Sequence, residues 1–426
     1  MSTQTDADHG ATGLPDTREA VRRWDACDPL APLRDAFALP AGQIYLDGNS
    51  LGALPRETAA RVQAVIEAQW GHDLVSSWNR AGWVDLPQRV GDKIGRLIGA
   101  RPGETLAADS TSINLYKLLA AALRLRPERR CVVVAADEFP TDLYMAEGLL
   151  GLLGDRYELR LVEEGASVAD AIDRDTAVVV LGHVNYRSGV LYPMAELTEA
   201  AHRQGALILW DLAHSAGVIP LSVAADGVDF AVGCGYKYLN GGPGAPAFLY
   251  AASAHQAQLS TPLSGWFGHA QPFAFEPRYR GADDIRKLLC GTPPVLALSA
   301  LEVGVELALQ APMDQVHAKS LRLVELFMGR VRARLRDAAL IPFGPAAAAE
   351  RGSQVCLRHP QAWPIMQALI ARGVTGDVRA PDILRFGFAP LYLRYVDVWD
   401  AVEHLAEIIL TASWDRPEFR APRTVT

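Results

Sequence analysis

Between residues 206 and 244 the chain carries two side chains suited to chemistry on a carbonyl compound. Ala206-Leu207-Ile208-Leu209-Trp210-Asp211 is a short apolar run that ends in a carboxylate. A second run, Asp229 to Gly233, leads into Cys234-Gly235-Tyr236-Lys237-Tyr238-Leu239 and then the turn Asn240-Gly241-Gly242-Pro243-Gly244. In open α/β sheets ligands sit at the carboxyl ends of strands, so Asp211 and Lys237 are expected to share one crevice. A lysine amine can hold an aldehyde as a Schiff base, and a carboxylate can keep a pyridine nitrogen protonated so that the ring withdraws electrons. Those are the two protein groups that pyridoxal 5′-phosphate (PLP) chemistry needs above all. On these two residues alone a plainer reading has equal weight: Asp211 caps the next helix, and Lys237 is a surface lysine.

The elements around them fit an α/β frame. Apolar or β-branched runs at Cys131–Ala135, Ala177–Leu181, Ala206–Trp210, Asp229–Gly233 and Pro246–Tyr250 alternate with helical segments. That order predicts a mostly parallel sheet covered by helices, its strands buried on both faces. Met194 to Gln204 reads as a helix that stops at Gly205. Thr111 and Ser112 open an apolar helix, Ile113 to Leu125, whose N-terminus would suit a phosphate, with an ordinary N-cap as the equal alternative. After Pro293 the pattern changes to long helices, Val295–Gln310 and Gln315–Asp337. Two isolated strands, Gln354–Arg358 and Ile383–Phe388, and a last helix from Val396 to about Leu410 follow. We expect a disordered tail over 1–17, an N-terminal segment over 18–55 packed with the small domain, a large PLP-binding domain over 56–310, and a smaller α+β domain over 311–426.

Several longer blocks carry a family resemblance. Leu46-Asp47-Gly48-Asn49-Ser50-Leu51-Gly52, Phe139-Pro140-Thr141-Asp142, Asp211-Leu212-Ala213-His214, the run Gly235 to Gly244, Ser264-Gly265-Trp266-Phe267-Gly268-His269 and Arg385-Phe386-Gly387-Phe388 are similar, in that order, to segments of kynureninases. The blocks span about residue 40 to 390. The resemblance implies the type I fold of PLP-dependent transferases. It also implies hydrolytic Cβ–Cγ cleavage of L-kynurenine to anthranilate and L-alanine, in tryptophan catabolism, by a homodimer with shared sites.

By the same resemblance Lys237 is the Schiff-base lysine and Asp211 the partner of the ring nitrogen. Phe139 stacks on the ring, and Asp142 and His214 stand near its edge. Thr111, Ser112, Tyr236, Trp266 and Thr292 complete the cofactor site. Read without the family, Phe139, Trp266 and Tyr236 are packing aromatics, and His214, at the start of a helix, is a structural histidine. Tyr236 is the candidate for proton transfer to the carbonyl oxygen and Cβ. Arg385 resembles the arginine that grips the substrate carboxylate, with a structural ion pair as its alternative. Asn49, Trp78, Gly291 and Thr292 fall on the substrate side, Thr292 from the second subunit. Trp78, Gly291 and Thr292 resemble the bacterial pattern, which implies preference for kynurenine over 3-hydroxykynurenine. One position departs: Gly182 stands where the family has Ser or Thr, which implies a water in place of the hydroxyl or weaker cofactor binding.

Composition narrows the alternatives. A net charge of −8 over 426 residues argues against nucleic acid as the main partner. The five cysteines, Cys27, Cys131, Cys234, Cys290 and Cys356, form no CxxC pair, so neither a zinc site nor a disulfide framework is expected. The N-terminus lacks the pattern of a signal peptide and no stretch is apolar enough to span a membrane, so a cytoplasmic protein is expected. The nearest rival is a cysteine desulfurase or selenocysteine lyase, which needs a reactive cysteine on a mobile loop. A PLP-sensing transcription regulator would need an added DNA-binding domain of about 60 residues, for which the N-terminal region is too short.

Overall fold

The computed structural model describes residues 13–421. Strands follow in chain order: β1 Ile44–Tyr45, β2 Thr105–Ala107, β3 Cys131–Ala135, β4 Glu158–Val162, β5 Thr176–Gly182, β6 Leu207–Asp211, β7 Phe230–Gly233, β8 Phe248–Ala251, β9 Ile341–Phe343, β10 Gln354–Arg358, β11 Val374–Thr375, β12 Asp377–Arg379 and β13 Ile383–Gly387. Seven of them form the main sheet in the order β2-β8-β7-β6-β5-β3-β4. The five from β7 to β4 are parallel, and β8 runs antiparallel to both its neighbours.

That reversal corrects the expectation that the run at 246–250 continues the βαβ order. A parallel return needs a crossover, usually a helix. The chain between β7 and β8 holds the lysine segment and the glycine-rich turn but no helix, so it comes back antiparallel.

The central strands are apolar throughout because both faces are covered. Successive residues feed opposite cores: Val132 and Val134 join the cluster under the helix Thr111–Leu125, while Val133 joins the one under Leu86–Ile98 and Val295–Ala308. Edge strand β4 is only half covered, and its charged residues hid it from the hydrophobic pattern.

Beyond Val295–Ala308, a four-stranded antiparallel sheet, β12-β13-β10-β9, carries the helices Met313–Arg334, Ala362–Ala371 and Tyr395–Leu410. The N-terminal segment runs beside it. β1 pairs in parallel with β11, and Trp24 meets Tyr395 edge-on at 5.3 Å. Asp28 forms a buried ion pair with Lys319 at 2.6 Å. Of the tail expected over 1–17, residues 1–12 lie outside the described residues. Thr17 caps the first helix, Arg18–Ala26, through its hydroxyl, and Leu14 lies against the position of Gly329.

Candidate active site

A cavity of about 260 Å³ opens at the carboxyl ends of β3, β5, β6 and β7, where ligands bind in open α/β sheets. It brings together eight of the expected residues. Thr111 and Ser112 lie at one end, Phe139 and Asp142 on a side wall, and Asp211, His214, Tyr236 and Lys237 beyond.

The first end is built by a helix start. The residue that caps the helix Thr111–Leu125 is Ser110, whose Oγ accepts from Ile113 N, so Thr111 and Ser112 sit inside the first turn rather than before it. Their backbone N–H groups lie in the turn that an α-helix leaves without internal partners. Lys117, fully buried, donates to Asp109 Oδ2 at 2.5 Å and to the Leu288 carbonyl at 2.6 Å, and so fixes the residue before the cap. Nothing in the residue pattern around Lys117 marks it as internal.

The other end gathers acids around one amine. Asp211 Oδ1 accepts from Ala213 N at 2.7 Å. No helix follows Asp211, because residues 212–219 form turns. The capping alternative is therefore corrected, and His214 is not at a helix start. Lys237 Nζ lies 2.9 Å from His214 Nε2. Burial, with Lys237 adding, holds the His214 imidazole well below its usual pKa, so it is neutral and its Nε2 accepts from the amine. Burial raises the Asp211 carboxyl, and Lys237 pulls it back. Asp142 is raised well above the carboxylate range by burial and then by Asp211 and Glu138; neither of its oxygens has a partner. Burial also raises the Tyr236 phenol, so it keeps its proton at neutral pH.

Gly182 departs from the expected picture. A Cβ there would stand 2.6 Å from Glu138 Oε2, and Glu138 Oε1 accepts from Gly182 N at 2.8 Å. A carboxyl group therefore fills the place left for a water. Glu138 was missed because an acid beside Asp137 reads as surface.

The substrate-side residues Asn49 and Arg385 both connect to Tyr186 on the cavity wall, Arg385 directly and Asn49 through Gln354. Arg385 is buried, and its alternative role is occupied: Nε and Nη2 reach Asp377 at 2.8 and 2.5 Å. Nη2 also donates to Ser50 Oγ and Nη1 to the Tyr186 carbonyl, at 2.8 and 2.6 Å. A guanidinium has five N–H groups, so one on Nη1 is left, not a free fork. The ion-pair partner is Asp377. Tyr186 also lines the cavity, so the arginine stands one residue behind its wall. Asn49 Nδ2 donates to Gln354 Oε1 at 3.2 Å, and its own Oδ1 is buried without a partner.

The chain is 51% identical over 414 residues to a kynureninase of Burkholderia pseudomallei, covering 96% of this chain and 100% of that relative. The chain belongs to the kynureninase family. A kynureninase of Pseudomonas fluorescens is 49% identical over the same coverage. A family model described as the kynureninase C-terminal domain matches residues 316–405. The fold is also that of a cysteine desulfurase from Thermococcus onnurineus, with a TM-score of 0.75 at 19% identity over 89% of this chain and 98% of that one. A cysteine desulfurase from Escherichia coli gives 0.73 at 19% identity over 90% and 98%.

In this kynureninase-family chain four expected site residues do not reach the cavity. Trp266 packs among Phe267, Phe273 and Phe275. Trp78 meets Trp83 edge-on at 5.5 Å, and with Thr292 it lines a separate apolar groove alongside Trp70 and Leu296. Gly291 adjoins that groove, with nothing within 4 Å of where its Cβ would be. Within one chain Trp78, Gly291, Thr292 and Trp266 therefore stand apart from the cavity that holds Lys237.

Proposed function

We propose that the protein cleaves L-kynurenine hydrolytically between Cβ and Cγ, giving anthranilate and L-alanine, with PLP as cofactor. The observation that carries the reading is the meeting of Lys237, Asp211 and the first turn of Thr111–Leu125 in one cavity, in a chain half identical to kynureninases along its whole length.

The residues fit that cofactor. Asp142 has two buried oxygens and His214 one ring nitrogen without partners, which is what a wall built against a polar ring leaves behind. Thr111 and Ser112 would hold the phosphate, Asp211 the ring nitrogen, Phe139 a ring face, and Lys237 the aldehyde carbon. When bound, PLP supplies an electron sink for charge developing on the substrate carbon next to its amine.

The side chains then divide the remaining work. Neutral His214 accepts from Lys237 and aims its amine into the cavity. Lys237, once free of the cofactor, is placed to take and return a proton at Cα. Tyr236, which keeps its phenolic proton, would donate it to the carbonyl oxygen as water adds, take a proton back from the hydrated carbonyl as the Cβ–Cγ bond breaks, and pass it to Cβ. Arg385, with one N–H remaining, meets the substrate carboxylate.

We propose further that two copies share their sites. Trp70 and Leu296 on the groove of Trp78 and Thr292, Leu74 and Val75 just before Trp78 in the chain, and Phe273 and Phe275 beside Trp266 leave large apolar surfaces exposed, a pattern that marks interaction sites. A homodimer would bring Trp78, Gly291, Thr292 and Trp266 to the partner's cavity. Such an apolar aryl pocket would favour kynurenine, with 3-hydroxykynurenine a poorer substrate.

The desulfurase alternative lacks its nucleophile. Burial pushes the Cys356 thiol up to about 12, and Cys290 Sγ is engaged with the Leu263 carbonyl at 2.9 Å. Addition of L-kynurenine with absorption and anthranilate fluorescence recorded together tests the reading. A cofactor band lost in Lys237→Ala, with anthranilate and alanine in equal amounts, is expected. A band without anthranilate would remove the substrate assignment, and no band at all would remove the cofactor assignment.

A further inference from the structure

The end of β5 and the loop after β3 are joined by a substitution of roles. At Gly182 the backbone presents no side chain to the cavity, and the space a Cβ would take lies 2.6 Å from Glu138 Oε2, 3.5 Å from Cδ and 3.6 Å from Oε1. Glu138 is only 4% exposed. Oε1 accepts from Gly182 N, the Phe139 amide also acts on the carboxyl, Oε2 stands where a side chain at 182 would be, and Glu138 lines the cavity.

We propose that Glu138 is a further cofactor-binding residue, which in its uncharged acid form donates a hydrogen bond to the cofactor from the place that a side chain at 182 would otherwise fill. The inference rests on the PLP reading above.

Charge balance supports the acid form. Glu138 faces Asp211 at the end of β6, Asp142 on the helix Pro140–Leu153, and Asp137 beside it, while Lys237 is the cation that faces these acids across the cavity, His214 being neutral. Tyr192, with its proton held, also stands near Glu138, and Glu164 and Arg187 face Asp137 beside it. Three buried carboxyl groups around one amine do not all ionise. Burial, then Asp137 and Asp211, push Glu138 up to about 8, against the pull of the Gly182 and Phe139 amides. An ionised carboxylate accepts only, whereas a protonated one has an O–H to give.

The same geometry makes positions 138 and 182 interdependent. A side chain at 182 collides with the carboxyl of Glu138, and removal of that carboxyl makes room for one. Gly182→Ser alone is therefore expected to weaken both folding and cofactor binding. In Glu138→Ala with Gly182→Ser, the serine hydroxyl takes the vacated place.

The test measures PLP affinity of the apoprotein by tryptophan fluorescence from pH 6 to 9, together with the thermal midpoint of the apoprotein. Glu138→Ala should bind PLP about 10-fold more weakly at pH 7, the worth of one hydrogen bond left unmade in a buried site. Glu138→Gln, which keeps an N–H donor, should hold affinity within about 3-fold and lose the wild-type decline above pH 8. Gly182→Ser should lower the apoprotein midpoint, and the double variant should recover both midpoint and affinity beyond the sum of the single changes. Wild-type affinity in Glu138→Ala across the pH range, or strictly additive effects of the two changes, would overturn the proposal. If the wild type binds no PLP, the cofactor reading fails. The apoprotein midpoints then decide the pairing of Glu138 and Gly182 alone.

Discussion

Arg385 is placed to serve two masters, and a pair of variants separates them. Its guanidinium is 1% exposed and makes two bonds to Asp377, whose side chain is 6% exposed. Arg385→Met would leave Asp377 with Arg379 at 2.7 Å and Ser50 at 2.9 Å, beside Asp47, whose carboxyl burial and Asp377 already push up to about 7. Removing one partner of a buried pair costs about 3–5 kcal/mol. The surviving Arg379 contact places the expected loss near the lower end, about 3 kcal/mol. Adding Asp377→Asn removes the stranded charge and should return more than half of that stability. Activity should behave differently. If Arg385 holds the substrate carboxylate, kcat/KM for anthranilate release falls at least about 100-fold in both variants, since a charge-assisted bond is lost in each. Guanidinium unfolding of the apoprotein and steady-state kinetics on the same preparations give the two readouts. A loss under about 1 kcal/mol in Arg385→Met would refute the buried-pair argument. Recovery of kcat/KM in the double variant would refute the contact with substrate.

Other perturbations follow from features of the same kind. Glu138 has a folded pKa of about 8 against an ordinary 4.5, so its contribution is fully present below about 4.5 and is lost as pH rises to about 8. From pH 6 to 8 it should cost the apoprotein up to about 2 kcal/mol, a slope that Glu138→Gln flattens; parallel unfolding curves for the two proteins would count against it. Asp28→Ala strands the buried Lys319, which keeps the Pro390 carbonyl at 2.6 Å and the face of Tyr395 at 6.0 Å. A loss of about 3 kcal/mol is expected, and Asp28→Leu with Lys319→Met should lose less than either change alone. Gly304→Ala would set a Cβ 2.1 Å from the Leu239 carbonyl, behind the lysine segment. The shift should cost about 1–3 kcal/mol and weaken PLP binding, and unchanged cofactor affinity would show that the segment is not braced from that side.

Much of the site could be read from residue types alone. Lys237, Asp211 and the glycine-rich turn announced themselves because each lies at the end of an apolar run, where an α/β sheet places its ligands. What escaped depended on contacts between distant segments. Glu138 carries no mark of burial in its neighbours, and its meaning comes from the missing side chain at Gly182, across the sheet. Lys117 looked like a solvated helix residue, yet Leu288 and Asp109 enclose it. Asp377, the partner of Arg385, belongs to a three-residue strand too short for any periodicity. The direction of β8 followed from the lack of a crossover helix, which a run of apolar residues does not reveal. Trp78, Thr292 and Trp266 were recognised by motif, but a motif does not say on which face of the chain it will stand.

The placement of residues 44–52 has a consequence for how the molecule comes to exist. Ile44 pairs with Val374, Leu46 with the strands around Thr375 and Gly387, and Gly52 N donates to the Tyr236 carbonyl beside the lysine at 2.7 Å. The first of these pairs joins residues about 330 positions apart in the chain. Contacts so far apart in sequence form late, because the loop between them must close first. The large sheet can therefore assemble on the emerging chain while its lysine segment still lacks one of its backbone bonds. Residues 44–52 are held in place only once residues 374–387 have come back to meet them, so a chain cut before Val374 should build the large sheet with its lysine segment poorly tied.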